Sequence, residues 1–339
     1  MIKSENNLDF GRNIFPQKEK LDNNFQGKTK FPVQIDPWDE STEASPEFLV
    51  SGDTEGDCIV WNISNQQKLT SLKVTDESIS VVKRLTNGHY ALGTQTKLLI
   101  IEVKASDKSI KLIHTVDNVH SDYIFDICFA NSNEILTCGD DKTIKLFTEE
   151  TALLGLKKLT RQKIILCKSK VCSLCLVSED LLACGCKDKT IKMFDFNLDQ
   201  FKSAAMTGHT NYINSIIMME SDLISAAAAG EVIVWDSETY ARKNVLDVKP
   251  SVFEYSNVLC NIDNKKLAVA ANDKTIAVFN FTTYQKLRIL GNMHFNVRDL
   301  VWLGGDILAS TGGFNILFWN LETGTRTYAN CQKHTYAIA

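Results

Sequence analysis

The chain has 339 residues, 44% hydrophobic and 23% charged, with 37 Lys and Arg against 41 Asp and Glu, a formal net charge of −4. Its 17 Phe, 8 Tyr and 5 Trp supply enough apolar surface to exclude a mostly disordered chain. No global basic field exists to attract nucleic acid, and five prolines exclude a proline-rich or collagen-like segment.

Residues 1–26 are polar and rich in Asn and Lys, and they read as a loose N-terminal arm. They lack an apolar core and a small-residue cleavage site, and Ile2 stands where N-myristoylation needs glycine. No run of about 18 apolar residues follows, so no membrane insertion is expected. Ten cysteines without a secretory signal fit a reducing compartment with free thiols. The expected location is cytoplasmic, with the nucleus also open.

From residue 27 onward one pattern recurs: an apolar segment, a pair of small residues, a polar turn, then a β-rich run ending in a large anchor. It reads SGDTEGDCIVWN at 51–62 and, weakened, YALGTQTKLLIIE at 90–102. LTCGDDKTIKLF at 136–147 and LACGCKDKTIKMFD at 182–195 follow. LISAAAAGEVIVWD at 223–236, LAVAANDKTIAVFN at 267–280 and LASTGGFNILFWN at 308–320 complete the series. The anchors are Trp61, Ile101, Phe147, Phe194, Trp235, Phe279 and Trp319, spaced 40 to 47 residues apart. No stretch holds a capped helical period, and every unit reads as short strands split by Gly, Asp, Asn and Lys turns. One such unit cannot bury both faces of its small sheet. Stacking the units buries them, and closing the stack into a ring removes open ends.

These seven units resemble the WD-repeat β-propeller family, whose blades are four-stranded and about 40–45 residues long. The resemblance covers residues 27–339 and implies an all-β fold, a seven-bladed propeller of four-stranded antiparallel blades. The family's opening Gly-His is kept as Gly208-His209, while His120 and His294 keep the histidine alone. The closing Trp-Asp survives as Trp235-Asp236. The family's hydrogen-bonded set of His, Ser or Thr, turn Asp and Trp is incomplete in every unit. His120 has Asp141 but ends in Phe147. His209 has Ser225 and Trp235 but Ala229 at the turn, and His294 has Ser310 and Trp319 but Gly312-Gly313. Packing is expected to replace the missing members. The unit ending in Ile101 is the most degenerate, and its blade is expected to exchange its amides faster than blades 3 and 4.

Blade 1 is expected to take Phe31 to Asp36 as its inner strand, Phe48 to Ser51 as the second and Cys58 to Asn62 as the third. Thr325 to Asn330 is expected to be the outer strand of blade 7, with the tail crossing toward blade 1. There His334 stands like a repeat-opening histidine, and Tyr336 to Ala339 competes with residues 31–36 for the inner place.

Candidate chemistry is sparse. Cys172 and Cys175 are spaced C-x-x-C, with Cys184 and Cys186 nearby, but residues i and i+3 of a strand point to opposite faces, which opposes shared zinc ligation. Cys184 and Cys186 occupy positions where the repeat carries small residues, and there free Cys acts as a small hydrophobe. No G-x-S-x-G elbow, P-loop or partnered nucleophile is present. No catalytic residue, metal site or cofactor is therefore expected, and the protein reads as a nonenzyme. The DKT lysines belong to hairpins and form no basic stripe.

The resemblance implies partner contacts on the rim made by the inner-strand starts and the turns after the second strands. Aligned units put Tyr123 and Phe125, Lys170, Tyr212 and Asn214, and Asn296 and Arg298 at the inner-strand starts. The turns add Thr54, Asp140, Lys187 and Asn272. These aromatics could instead pack against neighbouring blades. Their concentration with an Arg on one rim favours binding, because such residues are enriched at hot spots. Mixed charge points to a protein or peptide partner and not to nucleic acid. The favoured reading is a noncatalytic interaction scaffold, monomeric or a subunit of a larger complex. An alternative is a ubiquitin-ligase substrate receptor or other adaptor. One cullin-associated class of such receptors carries Arg three residues after the repeat-ending Trp, and none stands at the corresponding Ser64, Lys104, Glu150, Asn197, Glu238, Thr282 or Glu322. An enzyme would require a polar cluster lining the central channel.

Overall fold

Short β-branched runs separated by tight turns favour hairpins, and the protein is built from them. The computed structural model describes residues 47–85, 89–104, 107–131, 134–151, 157–228, 230–248, 258–271, 274–291, 293, 296–331 and 333–339, all within one unit, Pro32–Ala339. Among these residues every regular element is a strand, and no helix is long and apolar enough to cross a membrane.

Blade 1 takes β1 (Phe48–Asp53), β2 (Asp57–Asn62) and β3 (Lys68–Lys73). Blade 2 takes β4 (Val81–Arg84), β5 (His89–Gly93), β6 (Leu98–Lys104) and β7 (Ser109–Val116). Blade 3 takes β8 (Ile124–Asn131), β9 (Glu134–Gly139), β10 (Thr143–Thr151) and β11 (Lys157–Leu166). Blade 4 takes β12 (Val171–Ser178), β13 (Leu181–Cys186), β14 (Ile191–Asp195) and β15 (Gln200–Phe201). Blade 5 takes β16 (Ile213–Met219), β17 (Asp222–Ala227), β18 (Val232–Asp236) and β19 (Arg242–Leu246). Blade 6 takes β20 (Val258–Ile262), β21 (Lys266–Ala271), β22 (Thr275–Asn280) and β23 (Lys286–Leu290). Blade 7 takes β24 (Asp299–Trp302), β25 (Ile307–Gly312), β26 (Asn315–Asn320) and β27 (Arg326–Asn330), and β28 (Thr335–Ile338) returns to blade 1. The inner strands β28, β4, β8, β12, β16, β20 and β24 touch in that order, and the last touches the first. The result is a closed seven-bladed β-propeller of four-stranded antiparallel sheets.

The seven anchors all lie buried on third strands, as the repeat spacing predicts. The apolar core is correspondingly divided into seven clusters, each joining two adjacent blades. Blade 2 compensates for the smaller Ile101 by burying Tyr90, the residue paired with it on β5, where blade 1 has Leu49 opposite Trp61. The aromatic has moved one strand inward, and the junction still receives a ring.

The closure of the ring corrects one expectation and bears out another. β27 is the outer strand of blade 7, as expected. The stretch 31–36 lies outside the described residues, and the inner place of blade 1 belongs to β28, paired antiparallel with β1. His334 is not a repeat-opening histidine. Its carbonyl accepts from Thr54 N at 3.1 Å, as Tyr123 O does from Asp140 N at 3.2 Å and Tyr212 O from Ala228 N at 2.9 Å. It therefore aligns with Tyr123 and Tyr212, and the place of His120 and His209, three residues earlier, is taken by the buried Cys331.

A second ring of interactions runs through the inner strands. Asp126 Oδ2 of blade 3 accepts from Leu174 N of blade 4 at 2.9 Å. Ser173 Oγ of blade 4 accepts from Ile216 N of blade 5 at 3.1 Å, and Ser215 Oγ of blade 5 from Leu259 N of blade 6 at 3.2 Å. Asp299 Oδ2 of blade 7 accepts from Ile338 N of blade 1 at 3.1 Å. All four acceptors occupy the same register position, and each binds the amide one residue beyond the equivalent position in the next blade. The choice of Asp or Ser follows from the preceding blade. Blades 3 and 7 come after Val81 and Val258, which offer no side-chain acceptor, and there Asp126 and Asp299 use their second oxygens to accept from Ile127 N and Leu300 N, each at 2.9 Å. A carboxylate has two oxygens and serves two amides, whereas a serine serves one.

Candidate functional site

The rim is shaped by irregularities in the first ladder of several blades. Between β8 and β9 the register shifts across Ile124 and Asp126, between β12 and β13 across Val171 and Ser173, and between β16 and β17 across Ile213 and Ser215. Phe125, Cys172 and Asn214 are the extra residues. The β28–β1 ladder skips Tyr336 in the same way. Bulges of this kind re-aim a side chain out of the pleat. Arg298, immediately before Asp299, holds the corresponding position in blade 7. Tyr336, Phe125, Cys172 and Asn214 thus hold one register position in four inner strands, and Arg298 holds the equivalent position just before β24.

The structure gathers the expected rim residues into pairs that bridge neighbouring blades. Asp140, in the turn after β9, forms an ion pair with Lys170, at the start of β12. Lys187, in the turn after β13, holds its ammonium 5.7 Å from the ring centroid of Tyr212, at the start of β16. Such a cation over an aromatic face is attracted by the ring quadrupole. Tyr123 and Phe125 are 41% and 39% exposed, so neither is consumed by blade packing. Asn214 has a buried amide nitrogen with no hydrogen-bond partner among the described residues. Thr54 and Asn296 are half-buried and Arg298 is exposed. Asn272 lies outside the described residues.

Three rim residues escaped the sequence reading. The Arg298 guanidinium lies 5.5 Å from the Tyr336 ring centroid, and Phe314 and His334 stack at 4.1 Å. The placement of Tyr336 and His334 at this junction depends on β28 belonging to blade 1.

Beneath the rim lie polar networks that hold the blade tops. In blade 3, His120 Nδ1 is 2.8 Å from Asp141 Oδ1 and Nε2 is 2.8 Å from Thr137 Oγ1. Burial pushes the Asp141 carboxyl up, but hydrogen bonds from Thr143 and His120 and the charge of Lys145 outweigh it and hold the group at about 2. Burial pushes His120 down, outweighing its bond to Asp141. In blade 5, Ser225 Oγ is 2.6 Å from His209 Nε2 and accepts from Trp235 Nε1 at 2.8 Å. The missing turn aspartate is replaced by Glu231, two positions beyond Ala229, whose carboxylate accepts from Thr210 N at 2.7 Å and lies 3.4 Å from His209 Nδ1. The expected replacement by packing is thus an electrostatic one in this blade. In blade 2, Glu77 accepts from Thr96 N at 2.8 Å and from the hydroxyls of Thr94 and Thr96.

The cysteines are built in as small hydrophobes. Cys128, Cys138, Cys184 and Cys186 lie in the apolar cluster between blades 3 and 4. Burial pushes the Cys186 thiol up to about 12 and that of Cys172 to about 11, far from the thiolate range that metal binding or nucleophilic attack needs. Among the described residues no group of three or more His, Cys, Asp or Glu side chains is arranged to hold a metal ion.

The WD domain, G-beta repeat family model matches residues 110–148, which span the end of blade 2 and most of blade 3. An uncharacterized WD repeat-containing protein of Schizosaccharomyces pombe is 26% identical over 241 residues, covering 67% of this chain and 61% of that protein. A WD repeat-containing protein 55 homolog of Drosophila willistoni is 26% identical over 167 residues, covering 47% of this chain and 31% of that protein. The matched region is thus less than two thirds of either relative. The ring of seven blades and these matches make the chain similar to WD-repeat proteins, without singling out a closer subfamily.

Proposed function

We propose that the protein is a noncatalytic scaffold that holds a protein or peptide partner on the rim formed by the inner-strand starts and the turns after the second strands. The observation that carries this reading is that Tyr123, Phe125, Lys187 and Arg298, all at inner-strand starts or second-strand turns, are exposed, because solvent-facing aromatics and Arg are the residue types that anchor interfaces. WD-repeat propellers generally serve as interaction scaffolds, which supports the same reading, though a fold alone does not define a function. The working location is the cytoplasm.

The test is affinity capture from native lysate with the wild-type chain and with Tyr123→Ala, Tyr212→Ala and Arg298→Ala. Each substitution is expected to weaken recovery of a reproducible partner by about 1–2 kcal/mol while the melting temperature hardly moves. Loss of stability in step with loss of binding would show these side chains to be packing residues and defeat the rim assignment.

A further inference from the structure

Among the described residues, Asp53 Oδ2 and Thr335 Oγ1 are buried without hydrogen-bond partners, and the ring seam sets the two side chains opposite each other. The β28–β1 ladder pairs Thr335 with Asp53, and its skip of Tyr336 brings both side chains to the face of β1 that carries Ser51. Asp53 is 2% and Thr335 1% exposed. Asp53 Oδ1 accepts from Glu55 N at 2.9 Å and from Asp57 N at 3.0 Å, which leaves Oδ2 as the unanswered oxygen. The Cys331 thiol beside Thr335 is too weak a partner to answer its hydroxyl. Both unpartnered atoms are closed to water. The other blades show how a carboxylate comes to stand here. The bond from Thr54 N to His334 O matches that from Asp140 N to Tyr123 O, so Asp53 aligns with Gly139. A Cβ on Gly139 would stand 3.0 Å from His120 Nδ1. Blade 3 fills this space with an imidazole beside a glycine, and blade 5 sets His209 beside Ala227. Blade 1 has the small Cys331 in the histidine's place and so admits a carboxylate.

From this arrangement we propose that Asp53 holds a proton on Oδ2 while the ring is closed, and that losing it loosens β28 from β1, so that the seam is a pH-sensitive latch. An ionised Oδ2 is a buried charge that neither a donor nor water answers, whereas a protonated one is a neutral donor with the Thr335 hydroxyl opposite. The surrounding groups do not reverse this. Asp57 repels a second carboxylate, and the Lys333 ammonium is shared between Glu55 and Asp57. Cys58 on β2 and Cys331 before β28 are buried thiols. Glu77, on the segment that touches Asp53 through Ile79 N, is turned to Thr94 and Thr96. Burial accordingly raises the Asp53 carboxyl above its ordinary range, against the pull of the two amides. A raised carboxyl favours the closed ring below about pH 4, and this contribution is lost as pH rises through its folded value. The strand that loosens is only Thr335–Ile338, and its departure bares the edge of β1.

Hydrogen–deuterium exchange of the full chain, read by mass spectrometry, tests the latch by comparing the wild type with Asp53→Asn. Asparagine cannot ionise, keeps an oxygen for the amides of Glu55 and Asp57, and puts an N–H donor where Oδ2 stands. At about pH 7, peptides covering 48–53 and 335–339 should exchange roughly tenfold faster in the wild type than in Asp53→Asn, and the two proteins should converge at about pH 4. Peptides of blade 5 should exchange alike in both. Comparing the pair at each pH cancels the intrinsic exchange rate and the titration of Asp299, which both proteins share. Asp53→Ser replaces Asp53→Asn if melting shows the latter to be misfolded. A ratio at the seam that stays the same at both pH values, or slower seam exchange in the wild type at about pH 7, would overturn the proposal. A difference that spreads equally to blade 5 would also overturn it, because the carboxyl would then act on the whole fold and not on the seam.

Discussion

Asp299 of blade 7 accepts a hydrogen bond at 3.1 Å from the backbone amide of Ile338, on the strand that completes blade 1. One carboxylate thereby ties the two ends of the ring together, and it does so with the same contact that joins blades 3 and 4, 4 and 5, and 5 and 6. The seam also includes the β28–β1 ladder, the Lys333 ion pairs with Glu55 and Asp57, both at 2.6 Å, and the apolar cluster containing Ile338.

Removing this seam should open the ring. Deletion of residues 334–339 is expected to lower the melting temperature by at least several degrees, because it strips β28 from blade 1 and leaves the edge of β1 unpaired. Asp299→Ala should cost ~1–3 kcal/mol, since it leaves the amides of Ile338 and Leu300 without these acceptors. Thermal melts followed by circular dichroism would check both, and an unchanged melting curve for the deletion would show that the seam does not hold the ring.

The same carboxyl predicts a pH effect. Burial pushes Asp299 up to about 6 against the opposing pull of Lys83 and the two amides. A carboxyl whose folded value is raised favours the folded state most at low pH, below its ordinary range near 4, and this contribution is lost as pH rises through about 6. Relative to Asp299→Asn, which cannot ionise, the wild type should therefore lose ~1–3 kcal/mol between pH 4 and pH 7. Urea unfolding of the pair at both pH values isolates this carboxyl from every group the two proteins share. A constant difference would assign it an ordinary acidity.

The blade-top networks predict a ranking. Ser225 serves His209 and Trp235, whereas among the described residues the Ser51 hydroxyl accepts from Trp61 alone, at 2.8 Å. Ser225→Ala should cost ~1–3 kcal/mol and exceed Ser51→Ala, because it strands polar groups on two buried side chains. Chemical denaturation of the two variants decides this, and equal costs would mean that His209 finds another partner.

Gly56 predicts a backbone effect. Its φ is +86°, and a Cβ there would stand 2.1 Å from the Thr75 carbonyl oxygen and 2.8 Å from that of Glu77. Gly56→Ala should lower stability by about 2 kcal/mol or more. Lys142, Lys189 and Lys274 take the same left-handed turn position in other blades, at φ 64°, 73° and 63°. Conformation alone therefore does not demand glycine at this turn, and the close approach to Thr75 is what demands it in blade 1. An Ala variant as stable as wild type would show that the 74–77 segment yields.

Sequence alone determined the number of blades and the placement of their third strands. Anchors recurring every 40 to 47 residues must each fill the same kind of junction, and local alternation around them is enough to mark strands. It also marked most of the rim, because inner-strand starts and turns lie at constant offsets from the anchors. Tertiary structure decided what those offsets could not. Residues 31–36 and 335–338 alternate equally well, and pairing between the two ends of a chain is a nonlocal choice. The bulge at Tyr336 set the register that moved His334 onto the rim and put Cys331 in the histidine's place. Glu231 stood in for an aspartate two residues away because a longer side chain reaches the same imidazole, which motif spacing does not anticipate. Asp126 and Asp299 read in sequence as ordinary polar residues. Only the closed ring, which brings an amide of the next blade within 3.1 Å of each, shows why two oxygens are needed where the preceding blade offers a valine.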